Sequence, residues 1–139
     1  MKKLFILFFM IVSICVIFCG CNEIESSTVN TQKKLQFNSE LVELIDSELI
    51  FHKVGDVIKR IEVKYLFRNL LNEKIDLKVY AEFYDEANNL LSKEGPKEII
   101  LPPKYIEQGY SGANIIVYSG ERSRQVDHVI LIVEQKSYE

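Results

Sequence analysis

Cysteine and histidine are scarce in this 139-residue chain, and their positions exclude several kinds of chemistry. The three cysteines stand at 15, 19 and 21, so a chain cleaved before Cys21 would keep one thiol, at its first residue. Such a chain can form neither an internal disulfide nor a thiolate metal site. The two histidines, His52 and His128, lie far apart in sequence and have no further imidazole with which to form a ligand cluster. The sequence therefore predicts that the protein is not an enzyme, and we expect no metal and no other cofactor.

The start of the chain has the pattern of a bacterial lipoprotein export signal. Lys2 and Lys3 precede an uncharged apolar run of about 15 residues, Leu4 to Phe18, which is short for a membrane span. Gly20 and Cys21 fill the last two positions of a lipobox, the motif whose cysteine receives a diacylglycerol before cleavage. We therefore predict cleavage before Cys21 and lipid attachment to its thiol. An uncleaved signal anchor, or secretion with a free thiol, are the alternatives.

Cleavage at this site predicts three parts: a signal peptide (1–20), a flexible tether (21–38) and a β-sandwich domain (39–139). The tether is rich in Asn, Ser, Thr, Gln and Lys and has too few apolar residues to bury, so it would let the domain move roughly 20 to 25 Å from the bilayer. Removing 20 of the 139 residues leaves 119, enough for one compact domain. Two of the 17 basic residues are lost, which leaves 15 against 20 acidic ones, a net charge of −5. This balance argues against nucleic acid or anionic phospholipid as a partner.

Beyond residue 39 the apolar residues recur with a period of two, which is typical of half-buried β-strands. The two clearest runs have the inward faces Ile61, Val63, Tyr65 and Phe67, then Ile75, Leu77, Val79, Ala81 and Phe83. The short connection between these runs, 69–74, predicts a hairpin. Further strands are predicted over 41–51, 90–92, 97–101, 109–118 and 126–134, and apolar pairs in the first leave a helical turn possible. Seven short strands predict an all-β fold, an antiparallel immunoglobulin-like β-sandwich.

Several short motifs in the central and C-terminal strands form a set. They are an Asn-containing turn at Asn69, the strand end Phe83-Tyr84-Asp85, the stop Leu101-Pro102, the opening Gly112-Ala113-Asn114 and an apolar strand from Val129. In these motifs, which cover about 61–133, the chain resembles the YcfL-like family of small periplasmic or outer-membrane bacterial lipoproteins. The turn after Asp85 departs from the family, which commonly has Gly where this chain has Asn88, a residue that tolerates a left-handed backbone. The resemblance implies an immunoglobulin-like sandwich in the cell envelope and assigns no biochemical role.

Three polar groups could carry chemistry, and each has a simpler structural explanation. Asp127 and His128 resemble an acid–base pair, but neighbouring side chains in a regular strand point to opposite faces. The turn 85–89 gathers oxygen ligands of the kind that Ca²⁺ prefers, without the alternating spacing of a calcium loop, and its first Asp can instead cap its own backbone. Arg122 and Arg124 could engage an anionic partner or form a solvated hairpin tip.

Two strands near the C terminus have more apolar residues than one buried face requires. Neither 115–118 nor 129–133 alternates with polar residues. If these strands pair as a hairpin, an outward patch forms from some of the side chains Ile116, Tyr118, Ile130 and Ile132, and such patches often mark interaction sites. Alternatively, the segment 35–37 or the loop at 105–106 covers them.

A second candidate surface for a partner lies on the outer face of the central predicted hairpin. Leu66, Tyr80 and Tyr84 stand there among charged residues, a composition that suits protein interfaces. Ordinary cross-strand pairing explains these side chains equally well.

Together these features predict a lipid-anchored, non-catalytic envelope lipoprotein that binds another envelope protein, or a second copy of itself, through a sheet face. Two or three acyl chains would hold it firmly in a membrane, where confinement raises its effective concentration near partners. The alternative is a small-ligand or ion-binding envelope lipoprotein. Asn22 is not an acidic retention residue, so the expected location is the periplasmic face of the outer membrane.

Overall fold

The structure, a computed structural model, describes residues 24–29 and 34–137, with side chains for 34–137 only. The predicted signal peptide and Cys21 lie outside the described residues. The described chain contains eight strands and two short 3₁₀ turns. The strands are β1 (Ile24–Val29), β2 (Leu35–Phe37), β3 (Val42–Val54), β4 (Val57–Asn69), β5 (Ile75–Tyr84), β6 (Leu90–Leu101), β7 (Ile115–Tyr118) and β8 (His128–Gln135). Among the described residues, none forms a helix with the length and apolar character needed to cross a membrane.

The strands form two four-stranded sheets packed as a sandwich. Sheet A has the order β1-β3-β4-β7, and sheet B has the order β2-β8-β5-β6. Every neighbouring pair is antiparallel except β2 and β8, which run parallel. The predicted fold class, an all-β and mainly antiparallel sandwich, is confirmed.

The core lies between the sheets and consists of the residues that the period of two placed inward. All nine predicted inward residues of β4 and β5 are buried, none more than 1% exposed. Aromatic rings join the two layers, since the Phe83 ring of sheet B lies 5.0 Å from the Tyr118 ring of sheet A between centroids. Burying one such large side chain contributes roughly 1.5 to 3 kcal/mol, so this alternation accounts for much of the stability of the sandwich.

The predicted hairpin between the two central strands is wrong, because β4 belongs to sheet A and β5 to sheet B. The chain crosses between the sheets at Asn69, whose side chain is fully buried. Its Nδ2 donates to the carbonyls of Glu73 at 2.8 Å, Pro102 at 2.8 Å and Leu101 at 3.1 Å, and its Oδ1 accepts from the Leu71 N–H at 2.8 Å. These bonds stabilise the connection 69–74, which we call the crossing arch. It leads from one sheet to the other, where a hairpin turn was predicted.

The hairpin considered for the two apolar C-terminal strands does not form either. β7 pairs with β4 in sheet A, whereas β8 pairs with β5 in sheet B. The loop 119–127 therefore crosses from one sheet to the other. Both strands contribute buried residues to the same core, but from opposite sheets. Local sequence alone does not distinguish this arrangement from two neighbouring strands of one sheet.

The domain begins earlier than the predicted boundary at residue 39, because two strands lie within the predicted tether. β1 pairs along its whole length with the second half of β3, and β2 pairs with Val129 to Leu131 of β8. Leu35 belongs to the core, and the Phe37 ring stacks on the Phe67 ring at 5.2 Å. The two apolar residues on either side of Gln36 are too few to predict a strand. They form one because this segment pairs with the edge of β8.

The remaining strand predictions need smaller changes. The predicted first strand is β-structure from Val42 onward, and a register shift between Leu44 and Asp46 accounts for one of the two adjacent apolar pairs that suggested a helical turn. The two short strands predicted over 90–92 and 97–101 are one strand, β6, with a register shift against β5 between Val79 and Ala81. Gly95 lies at this shift with φ 116°, where a Cβ would stand 2.7 Å from the Val79 carbonyl oxygen. The sequence therefore needs glycine at this position.

Candidate functional site on the outer face of sheet B

The antiparallel pairing of β5 with β8 brings four of the six predicted partner-binding residues together. Tyr80 lies opposite Ile132, Glu82 opposite Ile130, and Tyr84 opposite His128. Alternate residues of a strand share a face, and the residues between them point into the core, so these side chains lie on the outer surface of sheet B. We call the surface formed by Tyr80, Tyr84, His128, Ile130 and Ile132 the sheet B face. All five side chains are half-buried.

The aromatic groups of the sheet B face are held by specific contacts. The Tyr84 and His128 rings stack with centroids 5.3 Å apart and planes 7° from parallel. The Tyr84 hydroxyl donates to Glu82 Oε2 at 2.6 Å. Lys93 Nζ, from β6, lies 3.2 Å from Glu82 Oε1 and 4.7 Å from the centroid of the Tyr80 ring. A carboxylate between two tyrosines is thus paired with a cation, which fixes the rings and leaves the centre of the face without an unpaired charge.

This hydrogen bond network shifts the titration of its members. The hydrogen bond from Tyr84 is the main cause that lowers the pKa of Glu82, and Lys93 lowers it further against the opposing effect of burial. The same hydrogen bond is the main cause that raises the pKa of Tyr84. At neutral pH the pair therefore stays as carboxylate and phenol, the state in which the hydroxyl donates and the carboxylate accepts.

The other two predicted partner-binding residues are in the core. Ile116 is 1% exposed and Tyr118 6% exposed, both on the inner face of sheet A. The patch that required them to share a surface with Ile130 and Ile132 does not form, because β7 and β8 lie in different sheets. Leu66 is buried too, at 8% exposure, and stands on sheet A apart from the two tyrosines. An apolar run that polar residues do not interrupt does not show which of its side chains point inward. The sequence therefore could not assign these side chains to a face.

Three members of the network were missed as site residues by the sequence analysis. Glu82, Lys93 and His128 are polar, and none of them was predicted to contribute to a partner-binding surface. The pairing of Lys93 with Glu82 depends on the register between β5 and β6, which places these residues opposite each other. That register includes a shift at Gly95 that the sequence does not reveal. The sequence signal for this site was the alternation along β5, which places residues 80, 82 and 84 on one face.

Asp127 and His128 are closer than predicted. His128 Nδ1 lies 3.2 Å from Asp127 Oδ2, whereas neighbours in a regular strand were expected to point apart. The difference arises because β8 begins at His128, so Asp127 lies in the preceding loop and is free of the strand's alternation. Lys34 Nζ lies 3.6 Å from the other oxygen of the same carboxylate. The Asp127 carboxylate thus joins Lys34 and His128 at the edge of the sheet B face.

The turn after β5 caps its own backbone, as the simpler explanation predicted. Asp85 Oδ1 accepts from the N–H groups of Ala87 at 3.0 Å and Asn89 at 2.8 Å, and its Oδ2 accepts from Asn89 Nδ2 at 3.0 Å. Asn88 has φ 62°, which confirms that Asn takes the left-handed conformation here. Across the residues whose side chains are described, no three His, Cys, Asp or Glu side chains are grouped so as to hold a metal ion.

An open groove lies at the edge of the sandwich between β2 and β3, away from the sheet B face. It has a volume of about 440 Å³ and is lined mainly by Leu35, Phe37, Asn38, Ser39, Val42, Glu43, Leu44, Ser47 and Leu70. Two of its polar lining groups are already engaged: Ser39 Oγ accepts from the backbone of Leu41 and Val42, and Glu43 Oε2 accepts from Arg68. Ligand sites are usually concave and have a few convergent polar groups, so this groove offers less to a small molecule than the sheet B face offers to a protein.

Comparison with known proteins adds no family. No family model, curated protein or solved structure matches the chain. The similarity of its motifs to those of the YcfL-like family therefore stays a prediction, and any inference about function has to come from the residues of the chain itself.

Proposed function

We propose that this protein is a lipid-anchored, non-catalytic lipoprotein of the bacterial cell envelope that binds another envelope protein through the sheet B face. The observation that carries the proposal is the meeting of Tyr80, Tyr84, Ile130 and Ile132 on one surface of β5 and β8. Protein interfaces are enriched in aromatic residues at their centres and depleted of unpaired charge. The sheet B face has both properties, because its one central carboxylate is bonded to Tyr84 and Lys93.

The anchor supplies the second half of the proposed mechanism. An acylated Cys21 would confine the domain to a thin layer at the periplasmic face of the outer membrane, together with any partner in that layer. Binding then takes place at a high effective concentration, so modest affinity suffices. The partner could also be a second copy of the chain. Membership of the YcfL-like family is part of the same proposal.

The test compares two matched variants on opposite sheets. Ile132 lies on the sheet B face and Val117 on the outer face of sheet A, and both are half-buried aliphatic residues. The wild type and the variants Ile132→Gln and Val117→Gln would be purified by affinity capture from detergent-solubilised envelopes of cells that produce them. We expect the same protein to accompany the wild type and Val117→Gln, and to be lost from Ile132→Gln while its unfolding midpoint stays close to that of Val117→Gln. Equal capture by all three would exclude the sheet B face as the binding surface.

A further inference from the structure

The first paired residue of the domain lies very close to the predicted lipid in the covalent chain. β1 begins at Ile24, which pairs with Val54, the last residue of β3. Three Cα-to-Cα steps separate Cys21 from Ile24, so their Cα atoms are at most about 11 Å apart. That reach is about half of the range that the predicted tether would have allowed. The lipid would therefore be attached at the end of the sandwich that carries the turn between β3 and β4.

This turn exposes apolar side chains. Val54 is 38% exposed and Val57 42% exposed, and the two lie opposite each other across the turn. Lys59 and Arg60 follow on β4 and are exposed, and Lys53 precedes on β3 and is half-buried. Apolar side chains that enter the lipid interface, with Lys and Arg stems extended beside them, are the usual composition of a shallow membrane contact.

The loop from β7 to β8 extends the same surface. Ser123 Oγ donates to the Ile58 carbonyl at 2.9 Å, which fixes the loop against β4. Arg122 and Arg124 on either side of this serine are exposed. Ser123 itself is 2% exposed, so the attachment is part of the fold.

Charge at this end differs from the charge of the mature chain as a whole. The turn and the loop together carry five cations, Lys53, Lys59, Arg60, Arg122 and Arg124, and three acids, Asp56, Glu121 and Asp127, and Glu25 of β1 lies opposite Lys53 in the register. Arg60 also pairs with Glu62 at 2.6 Å. The Asp85 turn lies on the sheet B side of the same end. The turn and the loop thus carry cations and acids in nearly equal number, although the 119-residue mature chain would be acidic, so this end lacks the excess of negative charge that anionic lipid headgroups would repel.

We propose that the β3–β4 turn and the adjoining loop rest on the surface of the membrane that holds Cys21, with Val54 and Val57 in the headgroup region. The inference rests on the proposed lipid anchor and adds an orientation to it. The strands then run away from the bilayer, and β4 alone, with 13 residues, reaches about 40 Å. The sheet B face consequently points sideways, toward neighbours in the same layer.

A single tryptophan reports the orientation, since the natural chain contains none. We would introduce it by Val57→Trp or, as a control, by Tyr105→Trp, because Tyr105 is 44% exposed and lies at the far end of β4, where its carbonyl accepts from Asn69 N–H. The acylated mature protein is reconstituted in vesicles of phosphatidylethanolamine and phosphatidylglycerol that contain lipids with a nitroxide near the headgroup. Insertion of the turn by several ångströms predicts that the nitroxide quenches the fluorescence of Val57→Trp at least about threefold more than that of Tyr105→Trp.

The outcomes separate this inference from the anchor on which it rests. Vesicle flotation and the intact mass of the protein first establish whether Cys21 carries acyl chains. A floating, acylated protein with equal quenching at both positions overturns the orientation and leaves the anchor standing. A protein without acyl chains overturns both. Amide exchange over 54–57 is a second readout. We expect it to be slower in the acylated protein than in Cys21→Ser with the same vesicles, and identical exchange would contradict the proposal.

Discussion

At the scale of single residues, Asn69 determines where the chain leaves one sheet and enters the other. Its buried amide satisfies three carbonyls and one N–H that the crossing arch would otherwise leave without partners. A buried polar group without a partner costs about 1 to 3 kcal/mol, and several groups are affected here at once. The role follows from the number of hydrogen bonds, which no sequence motif reveals.

Replacing this side chain should therefore destabilise the fold strongly. We expect Asn69→Ala to lower the free energy of unfolding by about 3 kcal/mol or more, measured by urea denaturation. Asn72→Ala is the matched control, because Asn72 is exposed in the same arch and its loss should change stability by less than about 0.5 kcal/mol. Similar losses for the two variants would show that the arch does not depend on the buried amide.

Glu82 makes a second prediction at this scale, on pH dependence. Its pKa in the folded protein is below the ordinary value of 4.5, so its contribution to stability is present above pH 4.5 and is lost as the pH falls through the lower folded value. Glu82→Gln should reduce stability by about 1 kcal/mol at pH 7 and progressively less below pH 4.5. A difference between wild type and Glu82→Gln that is independent of pH would contradict the assigned network.

At the scale of elements, the structure differs most clearly from the sequence prediction at β2, which lies within the predicted tether. A flexible tether would make Leu35 dispensable, whereas in the structure it is 9% exposed and belongs to the core. We expect Leu35→Ala to cost about 2 to 4 kcal/mol in urea unfolding. Gln36→Ala, the exposed neighbour in the same strand, should be close to neutral. If Leu35→Ala is neutral as well, the domain begins after β2.

The inward faces of β4 and β5 could be predicted from the sequence, and strand pairing could not. Ile61, Val63 and Tyr65 alternate with charged residues, and a period of two is a local property that burial imposes on each strand separately. Which strands are neighbours depends instead on contacts distant in sequence, such as those of Asn69 with Leu101 and Pro102. Neither the hairpin predicted for the central strands nor the one considered for the C-terminal strands forms, since a short connection suits a hairpin and a crossing between sheets equally well.

The candidate site shows the same division. Tyr80 and Tyr84 could be assigned to an outer face from the pattern of β5 alone, and this assignment stands. Ile130 and Ile132 could not be assigned, because β8 is apolar on both faces along this stretch. Their position beside the tyrosines follows only from the register of β8 against β5. For β7 the same lack of alternation led to the wrong placement of Ile116 and Tyr118, which the core contains.

At the scale of the whole molecule, the anchor and the sheet B face form one arrangement. The lipid would be attached at one end of the strands, and the binding face lies along their side. Cys21→Ser should release the domain into the soluble fraction after cell lysis and sedimentation, because the mature chain would contain no other cysteine to acylate. The wild type should stay in the membrane fraction. Continued sedimentation of Cys21→Ser with membranes would indicate an uncleaved signal anchor.

The central claim is that a partner contacts the sheet B face, and photo-crosslinking in living cells tests it most directly. A photoreactive amino acid would be introduced at Tyr80 or Ile132 on this face and, as controls, at Ile115 or Val117 on the outer face of sheet A. All four side chains are half-buried, so differences in exposure do not explain differences in yield. We predict one dominant protein adduct, shared by positions 80 and 132 and absent from 115 and 117. Adducts with no common protein at 80 and 132, or the same adduct from both sheets, would contradict the account.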